Sequence, residues 1–527
     1  MARRDDPPSA RQGPSVERVS APQVPPPGVP RRTAAIAIGV VVVVALAGVG
    51  YGFLREARLR ARLPALPAFS GEPAALQSRI TEAHQAAWAA PTSAEAVGAL
   101  GFAYHANLFF AQADTAYSLA EELDASAWRW TYNRALVYEV RGDASAAAAS
   151  LRRVVGQASQ VGTAWWRLGD AEFKLGRLDE ANAAWERARR LPDPPPSVVD
   201  PAAPPRRAMA SISAYATLGL ARVALARGDA ERARVLLEEV NEATPSFGPA
   251  VRLLSSAYRA VGRDEDAVRM GRRAERLPNY DPYVDPTFEM LVRESRSPTF
   301  LLQQAAAADA GTNGQWREYL IRRALELDPD NADALFELAT LLRVLRRSDE
   351  ALPLLTRLQQ MTPDDLQVVA DIGRCLSSLR RYAEAEAMLR RALNGLDDAN
   401  TRYDLGLVLD RTRRPAEATA EYRRALERNP THRDALNNLG VMLARGGRLS
   451  ESVQMFERLV EADPANPDAH ANLGALLLSS AQSERAAAEF RAALDIDPSH
   501  AVARDALAKT KFPKAATGRD KKPLSER

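Results

Sequence analysis

The residue types that perform chemistry are few and scattered in this chain of 527 residues. Cys375 is the only cysteine, so no intrachain disulfide, thiolate metal site or haem-attachment motif can form. The five histidines (His84, His105, His432, His470 and His500) show no metal-binding spacing and read as surface or packing residues. Aspartates gather in YDPYVDPTFEMLVRESR, residues 280–296, but without the ligand spacing of a calcium loop. That stretch reads as a surface loop or a short helix packed on a groove. No phosphate-cradling loop, Gly-x-Ser-x-Gly elbow or His-Glu-x-x-His helix occurs. We therefore expect no catalytic residue, no cofactor and no metal.

The bulk of the sequence points to helices. Hydrophobic residues make up 46% and aromatics only 6%, with alanine and leucine carrying most of the apolar content. The net charge is +3: residues 1–32 contribute +3 and residues 509–527 contribute +5, which leaves −5 for the body. A mildly acidic body argues against a nucleic-acid surface. Arginines number 64 against 6 lysines, five of which fall in the last 19 residues.

Residues 33–54 read TAAIAIGVVVVVALAGVGYGFL, uncharged over 22 positions, enough to cross a hydrocarbon core. A transmembrane helix is expected here. The alternative is a cleaved signal peptide, with Arg31 and Arg32 as its charged region and Ala45-Leu46-Ala47 as its cleavage motif. Arginines flank the span on both sides, so the positive-inside rule is nearly balanced. We expect the charged tail 1–32 to stay inside, placing the large domain outside the cytoplasm. That Pro/Arg-rich tail, and the basic tail 513–527, are expected to be disordered.

Behind a juxtamembrane linker and lead-in helix (55–93), the chain repeats itself. Leu439-Gly440 recurs as Leu473-Gly474, 34 residues on. Ser452 or Ala486 follows the glycine by twelve positions, Phe456 or Phe490 by sixteen, Pro464 or Pro498 by twenty-four. Units begin near 94, 128, 162, 214, 248, 298, 332, 366, 399, 433 and 467, the sixth being degenerate. Leucines and aromatics at helical spacing face a shared core. A small residue at the eighth and twentieth positions lets two helix axes approach, and the proline marks the end of the second helix. The divisions are a three-unit block (94–195), a Pro-rich insertion (196–213), a two-unit block (214–281), an insertion (282–297), a six-unit block (298–498) and a capping helix (499–512).

This pattern resembles the tetratricopeptide repeat, most fully in Trp165, Leu168, Gly169, Phe173, Ala181 and Trp185. The resemblance implies an all-α, right-handed superhelical solenoid of antiparallel helix pairs, here preceded by one transmembrane helix. In that family the first helix of each unit lines a concave groove that holds partner proteins or peptide segments. The sixth positions are Glu337, Asp371, Asp404, Asn438 and Asn472. The two asparagines resemble ladders that grip a peptide backbone, since an amide both donates and accepts; the acids favour a basic ligand or form a solvated polar face. A carboxylate clamp is not expected, because the groove offers Arg374 and Arg411 but no lysine. Trp130 and Trp166 fall off the core positions and are expected as exposed binding anchors.

The expected function is a non-catalytic, membrane-anchored scaffold in the bacterial cell envelope, with the repeats extracytoplasmic. It would serve assembly or maturation of exported proteins. Alternatives are a self-assembling structural protein or, with no room left for a catalytic domain, the regulatory arm of an enzyme complex.

Overall fold

The computed structural model describes residues 31–194, 204, 210–277, 283, 285–308 and 310–509, with the backbone alone for 31–39, 41 and 310–312. The tails 1–30 and 513–527, and most of the insertion 196–213, lie outside these residues. The described chain is all-helical, and it divides into two units, residues 1–62 and 63–527.

The first unit contributes α1 (Arg31–Arg62), 32 residues long. It runs eight residues past the expected end of the apolar stretch, because Arg, Glu and Ala sustain a helix and Arg60 pairs with Glu56 at 2.9 Å. Val43, Val44, Leu46 and Leu54 on this helix are all more than half exposed. Among the described residues, no helix is long and apolar enough to cross a membrane; residues 33–39 and 41 fall outside that statement.

The second unit starts with α2 (Ala74–Ala89), which buries Leu76, Ile80, Ala83 and Ala87 on one face. Helix pairs follow: α3 (Ala94–Ala106) with α4 (Phe110–Leu123), α5 (Trp128–Val140) with α6 (Ala144–Gln157), and α7 (Gly162–Lys174) with α8 (Leu178–Arg189). Next come α9 (Ile212–Ala226) with α10 (Ala230–Ala243), and α11 (Gly248–Ala260) with α12 (Asp264–Glu275). A short helix, α13 (Pro286–Glu294), stands outside the pairing. Pairing resumes with α14 (Pro298–Ala307) and α15 (Ala310–Leu327), then α16 (Ala332–Val344) and α17 (Ser348–Met361), and α18 (Leu366–Ser378) and α19 (Tyr382–Leu393). The last pairs are α20 (Ala399–Arg411) with α21 (Pro415–Arg428), α22 (Arg433–Arg445) with α23 (Leu449–Ala462), and α24 (Pro467–Ser479) with α25 (Ser483–Ile496). Helix α26 (Ala501–Lys509) closes the series.

Three local devices recur among the pairs. Side chains cap the first helices: Asn331 accepts from the Ala334 amide at 3.0 Å, Asn466 from Ala469 at 3.1 Å, and His432, through Nδ1, from Ala435 at 3.3 Å. A left-handed residue ends every first helix except α14, as at Gly447 (φ 76°), where the Arg448 amide reaches back to the Leu443 carbonyl at 2.9 Å. The helices then touch through a glycine: a Cβ on Gly440 would stand 2.6 Å from the Phe456 ring, and one on Gly474 would stand 2.9 Å from Phe490. Ser452, completely buried, replaces the usual alanine by donating to the Gly440 carbonyl at 2.7 Å. From α14 onward one continuous apolar core joins neighbouring pairs, so stability comes from stacking.

Candidate partner-binding groove

The surface of the N-terminal first helices is already covered by the chain itself. Asp285, 1% exposed, accepts from Arg167 Nε at 2.9 Å and from the Tyr132 hydroxyl. Asp285 also caps α13 by accepting from the Thr287 amide at 3.0 Å. Leu291 of α13 is fully buried in one core with Ala106 and Tyr132. Tyr283 lies 5.5 Å from the Tyr215 ring and 6.1 Å from Trp166. Tyr283 and Asp285 thus touch α9, α7 and α5 in turn. At its end Glu294 pairs with Arg79 at 3.2 Å, and just beyond it the Arg296 amide donates to Asn107 at 2.8 Å. Of the two readings of this stretch, the packed short helix is the one observed over residues 286–294, while residues 280–282 and 284 lie outside the described residues.

The first helices of the C-terminal block are open instead. A cavity of about 660 Å³ runs across α16, α18, α20 and the start of α22, with side chains from first helices and their caps making its wall. Its floor is a chain of ion pairs. Arg374 donates to Asp404 at 2.5 Å and to Asp371 at 2.9 Å, and Arg343 stands 3.7 Å from Asp371. Burial holds the Asp404 carboxyl above the usual carboxylate range, with Arg374 opposing; at Arg374 burial works against the charge, but Asp404 and Asp371 outweigh it. Tyr403 stands beside them, its hydroxyl pushed up to about 12 by burial, then by the charges of Asp434 and Asp404. His432 Nε2 lies 3.1 Å from Asn400 Oδ1. With Nδ1 accepting as a cap, Nε2 is the nitrogen that donates to the amide oxygen.

The cavity gathers three of the residues singled out from sequence: Asp371, Arg374 and Asp404. They neutralise one another, so they shape the groove floor more than they offer charge. Glu337 is likewise held, by Arg317 at 2.7 Å. Asn438 donates to the Tyr403 hydroxyl at 3.2 Å, while Asn472 and Arg411 are exposed and lie outside the cavity wall. Trp130 corrects the expectation of an exposed anchor. It is 5% exposed, stacked 6.3 Å from Tyr117, and a Cβ on Gly98 would meet its ring at 2.4 Å. The third position of a first helix faces the preceding repeat, a surface that the one-repeat pattern leaves out. Trp166 is half-buried against Tyr215 at 6.0 Å and serves its own chain's inserted segment.

Sequence reasoning missed Arg343, Arg346, Asn400, Tyr403, His432 and Asp434. Helical periodicity could have found Asn400 and Asp434, since position two lies one turn from position six on the same face. Among the described residues, no group of His, Cys, Asp and Glu is placed to hold a metal. Cys375 is fully buried, and burial pushes its thiol up to about 11.

The helix pairs, their glycine contacts and the groove on their first helices have a counterpart among known families. The tetratricopeptide repeat matches at residues 141–195, 320–352, 345–405, 403–467 and 443–510. The matched segments are tetratricopeptide repeats. Among curated proteins none matches. Similar solved structures include YrrB, titled a tetratricopeptide-repeat protein with an unusual peptide-binding site, at 27% identity over 35% of this chain and 96% of that one, TM-score 0.29. Pseudomonas aeruginosa PilF is similar at 18% identity over 40% of this chain and 97% of its own, TM-score 0.35. Yeast Tom70 is similar at 14% identity, covering 79% and 94%, TM-score 0.34. Tetratricopeptide-repeat proteins generally mediate protein–protein interactions.

Proposed function

We propose that this protein is a non-catalytic scaffold that holds an extended segment of a partner protein across α16, α18, α20 and α22. One observation carries the reading: the chain fills the N-terminal first-helix surface with its own segment 283–294 and leaves the equivalent C-terminal surface as an open cavity. The filled surface illustrates an occupant of the right kind, a short peptide fastened by a buried carboxylate and aromatic rings. Site-specific photocrosslinkers in the full chain test it. Crosslinks to partner proteins are expected from Arg346 and Ser378, which line the cavity, and not from Thr356 on the second helix α17. Crosslinks from Thr356 alone, or from no position, would sink the reading.

The same proposal places the repeats beside a bacterial cytoplasmic membrane, anchored by residues 33–54, on the extracytoplasmic side. The uncharged sequence and the exposed valines and leucines along α1 support it. A phosphatase active only outside the cytoplasm, fused after Arg527, is expected to be active. A cytoplasm-active fluorescent protein fused there is expected to stay dark. The opposite pair of results would reverse the orientation, and a soluble fusion would remove the anchor.

A further inference from the structure

Three consecutive repeats place an arginine where the chain turns between their two helices. Arg346, Arg380 and Arg413 lie 34 and 33 residues apart, with φ of 61–62°. Five other first helices end in glycine at this place: Gly142, Gly176, Gly228, Gly262 and Gly447. Glycine takes that conformation freely, whereas a side chain is strained in it. Strain kept at one position of three successive repeats points to a use for the side chain.

That use is not within the turn. The next arginine of each turn holds a carboxylate three residues on: Arg347 meets Glu350 at 2.6 Å, Arg381 meets Glu384 at 2.7 Å and Arg414 meets Glu417 at 2.6 Å. Arg346, Arg380 and Arg413 are exposed, and their side chains make no ion pair or hydrogen bond among the described residues. Arg411, at the end of α20, is exposed and equally without an ion pair. Two carboxylates near the row, Asp349 and Asp410, also make no ion pair, so four guanidinium groups stand against two acids and the row stays positive.

The row begins in the groove. Arg346 lines the cavity on α16–α22, and Ser377 and Ser378, just before Arg380, belong to the same wall. Neighbouring first helices touch, as Arg374 touches Asp404, and packed helices lie about 10 Å apart. The groove edge therefore offers one cation per roughly 10 Å. A polyproline II chain presents the same face every three residues, about 9 Å along its axis. A β-strand alternates faces every two residues and fits this spacing less well.

We propose that Arg346, Arg380 and Arg413 bind the carboxylates of a partner segment in polyproline II form, with Asp or Glu at every third residue. Planar guanidinium groups suit carboxylates. The proposal rests on the groove reading, whose partner it names; the two fail separately, that reading by absent crosslinks from Ser378 and this one by the binding results below.

The test uses the full chain in detergent at fixed ionic strength, with fluorescein-labelled peptides followed by anisotropy. EPPEPPEPPE should bind with Kd on the order of 0.1 mM, and KPPKPPKPPK about tenfold more weakly or worse. The triple variant Arg346→Gln, Arg380→Gln, Arg413→Gln should weaken EPPEPPEPPE about tenfold. Replacing the same three residues with Gly should weaken it equally while raising the melting temperature, a pairing that a merely structural role would not give. A variant with the same loss of charge on second helices, Arg187→Gln, Arg232→Gln, Arg272→Gln, should bind as the parent does. Absent binding of EPPEPPEPPE, equal binding of KPPKPPKPPK or of EEEEPPPPPP, or unchanged affinity in the Gln variant would overturn the proposal. So would a ten-nucleotide single-stranded DNA that binds more tightly than EPPEPPEPPE.

Discussion

Asp285 accepts a hydrogen bond from Arg167 at 2.9 Å across 118 residues of sequence. That carboxylate fastens the inserted segment to the first helices of two repeats, because it also takes the Tyr132 hydroxyl. Removing one partner of a buried pair leaves the other charge uncompensated. Asp285→Ala should therefore cost about 3 kcal/mol within this block. Hydrogen exchange should show lost protection in α5 and α7 while α22–α25 keep theirs; unchanged protection in α5 would contradict the arrangement.

The glycine contacts make a prediction of opposite signs. Gly440→Ala puts a Cβ 2.6 Å from the Phe456 ring and should destabilise by about 2 kcal/mol through overpacking. Gly156 has nothing within 4 Å of an added Cβ, and Gly156→Ala should stabilise by about 0.5 kcal/mol. Urea denaturation of the two variants side by side tests the pair.

Arg346, Arg380 and Arg413 adopt φ of 61–62° at the turn where other repeats place glycine. A side chain there carries a cost of about 1 kcal/mol, part of which glycine's greater freedom in the unfolded chain offsets. Arg380→Gly should raise stability by about 0.5 kcal/mol, and Gly447→Arg should lower it by a similar amount. A melting temperature that moves the other way for both variants would refute the strain.

Burial lowers the His105 pKa from 6.5 to about 3, with the charge of Arg167 adding to the effect. Between these values the unfolded chain binds the proton and the folded chain does not. Stability is therefore complete above about pH 6.5 and falls as the pH drops towards 3, by about 2 kcal/mol at pH 5 from this residue. His105→Phe keeps the ring packed against Tyr117, 6.1 Å away, and removes the titration. The variant should lose less stability than the parent between pH 7 and pH 5 in denaturant titrations; equal losses would assign the pH dependence elsewhere.

Much of this architecture is written locally. The eighth-position glycine, the aromatic sixteen residues later and the turn residue all act within one helix pair, so Gly440, Phe456 and Gly447 are readable from a single repeat. Trp130 was misread because its partners, Tyr117 and Gly98, belong to the preceding repeat. The groove was half legible. Asp371 and Asp404 sit where the sixth-position rule puts them; Arg374 meets Asp371 three residues away on α18, but its pairing with Asp404 depends on a reach of 30 residues between neighbouring first helices. The attachment of Asp285 was not legible at all, since nothing around residue 285 announces Tyr132 or Arg167 as its partners.

The inserted helix also sets a clock on synthesis. With 118 residues between Arg167 and Asp285 and elongation at about 5–20 residues per second, the first three repeats emerge roughly ten seconds before the segment that completes their surface. During that interval Arg167 and Tyr132 wait without Asp285, and a nascent chain stalled before residue 283 would present an empty cleft to whatever acidic, aromatic peptide is nearby.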